Sequence, residues 1–205
     1  MHLLLIFGIT LLPQAFTLSC YQCEVGTTCT DQLINCPALS NQCVVHKVTT
    51  YAGGSKMTDI EVKSCGVVEQ CVNGSINFGI SRVTLASKCC NSDGCNKKFT
   101  PAASNGNPNG LKCFTCNGEN CDATLQCIGS EDHCVSTEVT VGSVKTALKG
   151  CASRQVCEAK DVDELQDALG NTLDCCQGNL CNGARSRSAG LLLLLASLSS
   201  LITFT

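Results

Sequence analysis

Twenty cysteines in 205 residues are the side chains with the most obvious capacity for chemistry. Cys20-x-x-Cys23 and Cys113-x-x-Cys116 have the spacing of a metal knuckle or a redox dithiol. A zinc module needs four ligands, whereas ten cysteines fall in each half of the chain. A redox dithiol needs a βαβ frame, which no stretch here suggests. Hydrolytic chemistry has little to work with. His46 and His133 are the only histidines beyond the first few residues, and there is no Gly-x-Ser-x-Gly elbow, zincin motif or glycine-rich phosphate loop. The expectation is a non-enzyme with no catalytic site, no cofactor and no metal, whose cysteines are all paired. No basic stripe points to nucleic acid.

The elements that hold these cysteines occur twice. Cys89-Cys90-Asn91-Ser92-Asp93-Gly94-Cys95-Asn96 returns as Cys175-Cys176-Gln177-Gly178-Asn179-Leu180-Cys181-Asn182. The first copy has cysteines at 20, 23, 29, 36, 43, 65, 71, 89, 90 and 95; the second at 113, 116, 121, 127, 134, 151, 157, 175, 176 and 181. From the sixth cysteine onward the steps agree, and the main difference is a shorter stretch between 134 and 151 than between 43 and 65. One module was duplicated and one loop resized. Each copy is about half an ordinary domain and buries little apolar surface. Trp is absent, and there are six Phe and two Tyr, so large aromatic anchors are scarce. An even, dense cysteine count is the usual remedy in an oxidising compartment. Closing a loop of about 15 residues contributes roughly 3 kcal/mol in the chain-entropy model.

Residues 1–17 read as a signal peptide. An apolar run from Leu3 to Leu12, too short for a bilayer, is followed by Pro13 and by small residues at Ala15 and Thr17, which places the cleavage after Thr17. The first module covers 18–99. Residues 42–51 alternate, with Val44, His46, Val48 and Thr50 on one face and Val45, Lys47 and Thr49 on the other. After Gly53-Gly54 the alternation resumes over 57–65, with Ile60, Val62 and Ser64 on one face, which predicts a β-hairpin. A third arm runs from Cys71 to Cys89 and returns through β-branched residues at 80–85. Within it, Asn73-Gly74-Ser75 is a candidate N-glycosylation acceptor.

Residues 100–110 are uncharged and rich in turn formers, so a flexible linker is expected there. The second module covers 111–182. It should contain a hairpin over 133–141 and 144–149, and a short amphipathic helix carrying Val162, Leu165, Ala168 and Leu169. The first module carries seven Lys/Arg and six Asp/Glu, a net charge of +1; the second carries five against eleven, or −6. Glu158, Asp161, Asp163, Glu164 and Asp167 cluster on the third arm of the second module and read as a solvated face.

Residues 183–205 read as a removable signal for a glycosylphosphatidylinositol (GPI) anchor. The run 191–205 is 15 residues long, against the roughly 20 apolar residues that a spanning helix needs, and no Lys or Arg follows it. Asn182-Gly183-Ala184 offers three small residues for lipid attachment at Asn182; Ser186 is the alternative.

The pairs Leu18-Ser-Cys20-Tyr-Gln-Cys23 with Cys89-Cys90-x4-Cys95-Asn96, and Leu111-Lys-Cys113-Phe-Thr-Cys116 with Cys175-Cys176-x4-Cys181-Asn182, resemble the Ly6/uPAR (LU, three-finger) domain family. Lys149-Gly150-Cys151-Ala152-Ser153 is similar to its urokinase-receptor branch. A two-module chain also resembles the γ-type phospholipase A2 inhibitors. The resemblance implies an all-β, disulfide-rich fold of two tandem three-finger domains. It implies the bridges Cys20–Cys43, Cys23–Cys29, Cys36–Cys65, Cys71–Cys89 and Cys90–Cys95. For the second module it implies Cys113–Cys134, Cys116–Cys121, Cys127–Cys151, Cys157–Cys175 and Cys176–Cys181. Asn96 and Asn182 would brace the two disulfide hubs. The function it implies is a GPI-anchored cell-surface module that binds an extracellular protein, with inhibition of a secreted enzyme such as a phospholipase A2 as the alternative.

Overall fold

The computed structural model describes residues 17–23, 31–102, 106–118, 120–141, 143–159 and 173–183. The signal peptide, Cys29, the helix expected over 162–169, most of the acidic cluster and the GPI signal from residue 184 on, with Ser186, lie outside them. The described residues are mostly strand and form two compact units. One holds the residues up to Asn73 and residues 83–102; the other holds Gly74–Arg82 and residues 106–183. No helix among the described residues is long and apolar enough to cross a membrane.

In the first unit, β1 (Ser19–Gln22) pairs antiparallel with β2 (Gln32–Asn35). The hairpin of β3 (Gln42–Ala52) and β4 (Ser55–Gly66) aligns Cys43 with Cys65 and Val48 with Ile60. Gly53 and Gly54 turn it at φ 55° and 80°, where an L side chain would be strained. The alternating residues of this stretch therefore form the predicted hairpin. A 3-10 turn at Val68–Gln70 leads to the third arm.

That arm contributes to both units. Its outward strand β5 (Gly74–Asn77) and the first two residues of β6 (Ser81–Cys90) belong to the second unit. There β5 pairs with β10 (Val144–Ala152), Asn77 opposite Cys151 and Ile76 opposite Ala152. The second unit also contains the hairpin of β7 (Pro108–Asn117) and β8 (Asn120–Ile128), and β9 (His133–Val141), which pairs with β10 and with β11 (Asp174–Cys176). Strand β7 begins inside the stretch read as linker, because Pro108 already pairs with Ile128. A five-residue helix, α1 (Arg154–Glu158), follows β10 and buries Val156.

Disulfides supplement a small apolar core that includes Val44, Val45, Ile76 and Val135. Cys20, Cys36 and Cys43 form one buried cluster, flanked by Leu18, Cys65, Cys90 and Cys95. Cys113, Cys127, Cys134 and Cys151 form the other, flanked by Leu111, Leu125, Cys176 and Cys181.

Candidate binding surfaces and the hubs that position them

The first hub is held by Cys20–Cys43, Cys36–Cys65, Cys71–Cys89 and Cys90–Cys95. The second unit contains Cys113–Cys134, Cys116–Cys121, Cys127–Cys151, Cys157–Cys175 and Cys176–Cys181. Cys23 is also disulfide-bonded; the partner that the resemblance implies, Cys29, lies outside the described residues. Sulfurs of Cys20 and Cys36 lie 3.1 Å apart, and those of Cys113 and Cys127 3.3 Å apart. These groupings have the look of thiolate clusters. Every sulfur in them is in a disulfide, which leaves no thiolate to ligate zinc.

Asn96 is fully buried beside the first hub. Its Oδ1 accepts from Tyr21 N at 2.9 Å, and its Nδ2 donates to Tyr21 O at 2.9 Å and Val44 O at 3.0 Å. Asn182 repeats this against Phe114 N at 2.9 Å, Phe114 O at 3.0 Å and Val135 O at 2.9 Å. An amide fits because it offers an acceptor and two donors on one planar group. Asp93 Oδ1 accepts from Ser19 N at 2.8 Å, and Asn179 Oδ1 from Lys112 N at 2.9 Å, so the Cys-x4-Cys loop grips the first strand of each module in the same way.

The β3–β4 and β9–β10 hairpins carry three of the large exposed apolar side chains among the described residues; Leu33, Leu39, Val68, Ile80 and Leu180 are exposed elsewhere. Met57 is 63% and Ile60 38% exposed on β4, which is an edge strand, and Val144 is 64% exposed at the turn end of β10. Beside Met57 and Ile60, Asp59 bonds to Lys56 and lies 3.4 Å from Lys47 Nζ. The Lys56 hydrogen bond holds the Asp59 carboxyl below its ordinary value, with partial burial opposing and Lys47 assisting. The upper half of β4 thus presents apolar groups flanked by paired charges, a composition suited to protein recognition.

Neither histidine forms a catalytic pair. His46 Nδ1 lies 2.8 Å from Ser87 Oγ, but the Ser87 hydroxyl proton goes to Val72 O, so the serine accepts from the ring. His133 Nδ1 lies 2.8 Å from Asp132 Oδ1 and its Nε2 3.1 Å from Gln177 Nε2. The Asp132 carboxyl is held below its ordinary value: burial opposes this, and bonds to His133 and the Arg154 amide prevail.

Sequence reasoning missed Glu131. It sits in a Gly-Ser-Glu-Asp stretch that reads as a solvated turn, yet it is fully buried. Oε1 accepts from Ser75 Oγ at 2.8 Å and from Arg82 Nε at 3.0 Å; Oε2 accepts from Ile128 N at 3.0 Å. A buried carboxylate requires such a shell. The Lys149–Ser153 motif acquires a structural role here. Gly150 lies where a Cβ would come within 1.9 Å of Asn77 O, and Ser153 Oγ accepts from Ser75 N at 3.0 Å. No local signal in the sequence marks these partners, because Ser75 and Glu131 are 56 residues apart.

Comparison with known proteins agrees with this geometry. The u-PAR/Ly-6 domain model matches residues 17–98 and 109–184. The chain is 27% identical over 172 residues to the urokinase plasminogen activator surface receptor of Bos taurus, covering 78% of this chain and 50% of that protein. It is 28% identical over 205 residues to the receptor of the same name from Mus musculus, covering 91% and 62%. Xenoxin-2 of Xenopus laevis is 32% identical over 72 residues, which is 35% of this chain and 98% of that one. The chain therefore spans about half to three-fifths of the receptors it matches.

Proposed function

The chain belongs to the u-PAR/Ly-6 domain family as an all-β pair of tandem disulfide-rich modules, and on that footing we propose that it is a GPI-anchored cell-surface protein that binds an extracellular protein ligand. It is a non-catalytic module, so its mechanism is recognition: a disulfide hub holds hairpins rigid and a partner docks on their exposed faces. The observation that carries this reading is the β4 edge, where Met57 and Ile60 stand exposed next to the Lys47–Asp59–Lys56 charges. A rigid strand loses little entropy on docking, and the part of β4 on the turn side of the Cys23–Lys63 bridge can pair with an extended segment. The similarity to surface receptors supports the location.

The anchor reading rests on the apolar run 191–205, which is short for a spanning helix, and on the small residues that precede it. Asn182 and Ser186 are the two attachment candidates. The Asn182 side chain is bonded into the hub and Gly183 N donates to Leu180 O at 3.2 Å; attachment at Asn182 would have to open these contacts, which favours Ser186. Asn73 is the glycan acceptor in this reading; it is exposed, and its Oδ1 accepts from Ser87 N at 2.7 Å.

The test is capture of extracellular proteins by soluble residues 18–182, alongside a Met57→Glu, Ile60→Lys variant of unchanged melting temperature. A ligand retained by the parent and lost by the variant is expected. Equal retention by both would move the binding face elsewhere. If the captured protein is a secreted phospholipase whose activity falls on binding, the enzyme-inhibitor alternative holds instead.

A further inference from the structure

The glycan acceptor Asn73-Gly74-Ser75 is locked into the fold at two of its three positions. Ser75 is only 3% exposed. Its hydroxyl donates to Glu131 Oε1 at 2.8 Å and accepts from Arg82 Nη2 at 3.3 Å. Its backbone is committed on both sides, N to Ser153 Oγ at 3.0 Å and O from Ser153 N at 2.9 Å. Gly74 lies so close to Ser153 and Val156 that an added Cβ would approach them to 2.7 Å and 3.1 Å. Recognition of the acceptor depends on the serine hydroxyl two residues after the asparagine. In the folded chain that hydroxyl is inside the protein.

Resting on the glycan reading above, we infer that Asn73 accepts its oligosaccharide only before Ser75 docks against Glu131 and Ser153, so that glycosylation and folding of the second unit compete for the same residues. The transfer joins Asn73 Nδ2 to C1 of a lipid-pyrophosphate-linked oligosaccharide. The C1–O bond breaks, the pyrophosphate lipid leaves with the electron pair, and Nδ2 loses one proton. The order of synthesis supplies the interval. Glu131 follows Ser75 by 56 residues and Ser153 by 78. At about 5–20 residues per second, Glu131 is made roughly 3–11 s after Ser75. Disulfide closure of the second hub then adds seconds or more. Afterwards the exposed asparagine keeps a glycan it could no longer acquire.

The full chain made without glycan supplies the test, presented to oligosaccharyltransferase and lipid-linked oligosaccharide either native or reduced and alkylated. A Gly53→Asn variant adds an internal control, since it completes an acceptor with Gly54 and the exposed Ser55 in an open turn. The control acceptor should be modified in both states. Asn73 should be modified in the unfolded chain and at least tenfold less in the native one. Native modification at Asn73 equal to that of the control would overturn the inference. No modification of Asn73 in either state would overturn the glycan reading itself, and the inference with it.

Discussion

Asn96 satisfies both backbone groups of Tyr21: its side-chain oxygen takes the Tyr21 amide proton at 2.9 Å while its nitrogen donates to the Tyr21 carbonyl at 2.9 Å. A third bond reaches Val44 O on the neighbouring hairpin, so one side chain ties the first strand of the module to β3. Asn96→Ala leaves three backbone groups without a partner in a site sealed from water. Each such group costs about 1–3 kcal/mol, so a loss of about 3 kcal/mol or more is expected in denaturant unfolding. Asn182→Ala should behave alike. Asn96→Asp keeps the acceptor but turns a carboxylate oxygen toward the Tyr21 and Val44 carbonyls, and should cost at least as much as Asn96→Ala.

Arg82 faces a carboxylate with no exposure. Removing it by Arg82→Ala leaves the Glu131 charge buried and unpaired, at a cost of about 3–5 kcal/mol. Replacing both partners, Arg82→Met with Glu131→Gln, should recover most of that loss. Hydrogen exchange of Gly74–Asn77 amides reports it locally: fast exchange in the single variant, slow exchange in the double one.

Gly150 and Leu180 make contrasting predictions. Gly150→Ala drives a methyl into Asn77 O and should destabilise by about 1–3 kcal/mol, with exchange rising in β5. Leu180 holds φ 58° at the position where the first module has Gly94 at φ 63°. Leu180→Gly removes the left-handed strain, about 1–2 kcal/mol, against a glycine entropy cost of roughly 0.5–1 kcal/mol. Leu180 is only 37% exposed, so the lost apolar contact works against this gain and the melting temperature should change little.

Hairpins β3–β4 and β9–β10 were legible because alternating side chains and glycine turns encode them locally. The two hub asparagines were legible through the resemblance, which repeats the Cys-Asn ending. The docking of Gly74–Arg82 in the second unit was not. Its partners Glu131, Gly150 and Ser153 are distant in sequence, and each residue taken alone looks like a surface or turn residue. Strand β7 likewise starts among turn formers, where only pairing with Ile128 distinguishes strand from linker.

Lys63 gives the pH prediction. Burial opposes its charge, but the Asp31 carboxylate at 2.7 Å and Glu61 at 3.2 Å outweigh this and raise it above the ordinary lysine value of 10.5. A raised lysine stabilises fully below the unfolded value and loses that contribution as pH climbs through the folded one. The stability difference between the parent and Lys63→Met should therefore be constant through neutral pH and shrink above about pH 10.5. A difference that persisted undiminished well above about pH 10.5, or one that vanished while Lys63, Asp31 and Glu61 are all still charged, would contradict the assignment.

Display at the surface is the claim on which the receptor-like reading depends. A single retained apolar run of 15 residues is short for a bilayer, whereas a two-chain lipid anchors stably. The most direct measurement is treatment of intact expressing cells with phosphatidylinositol-specific phospholipase C, followed by mass spectrometry of the released protein. Release into the medium, with residues 191–205 absent from the product, is the predicted result. Surface protein that resists the lipase and still carries the 191–205 peptide would contradict the account.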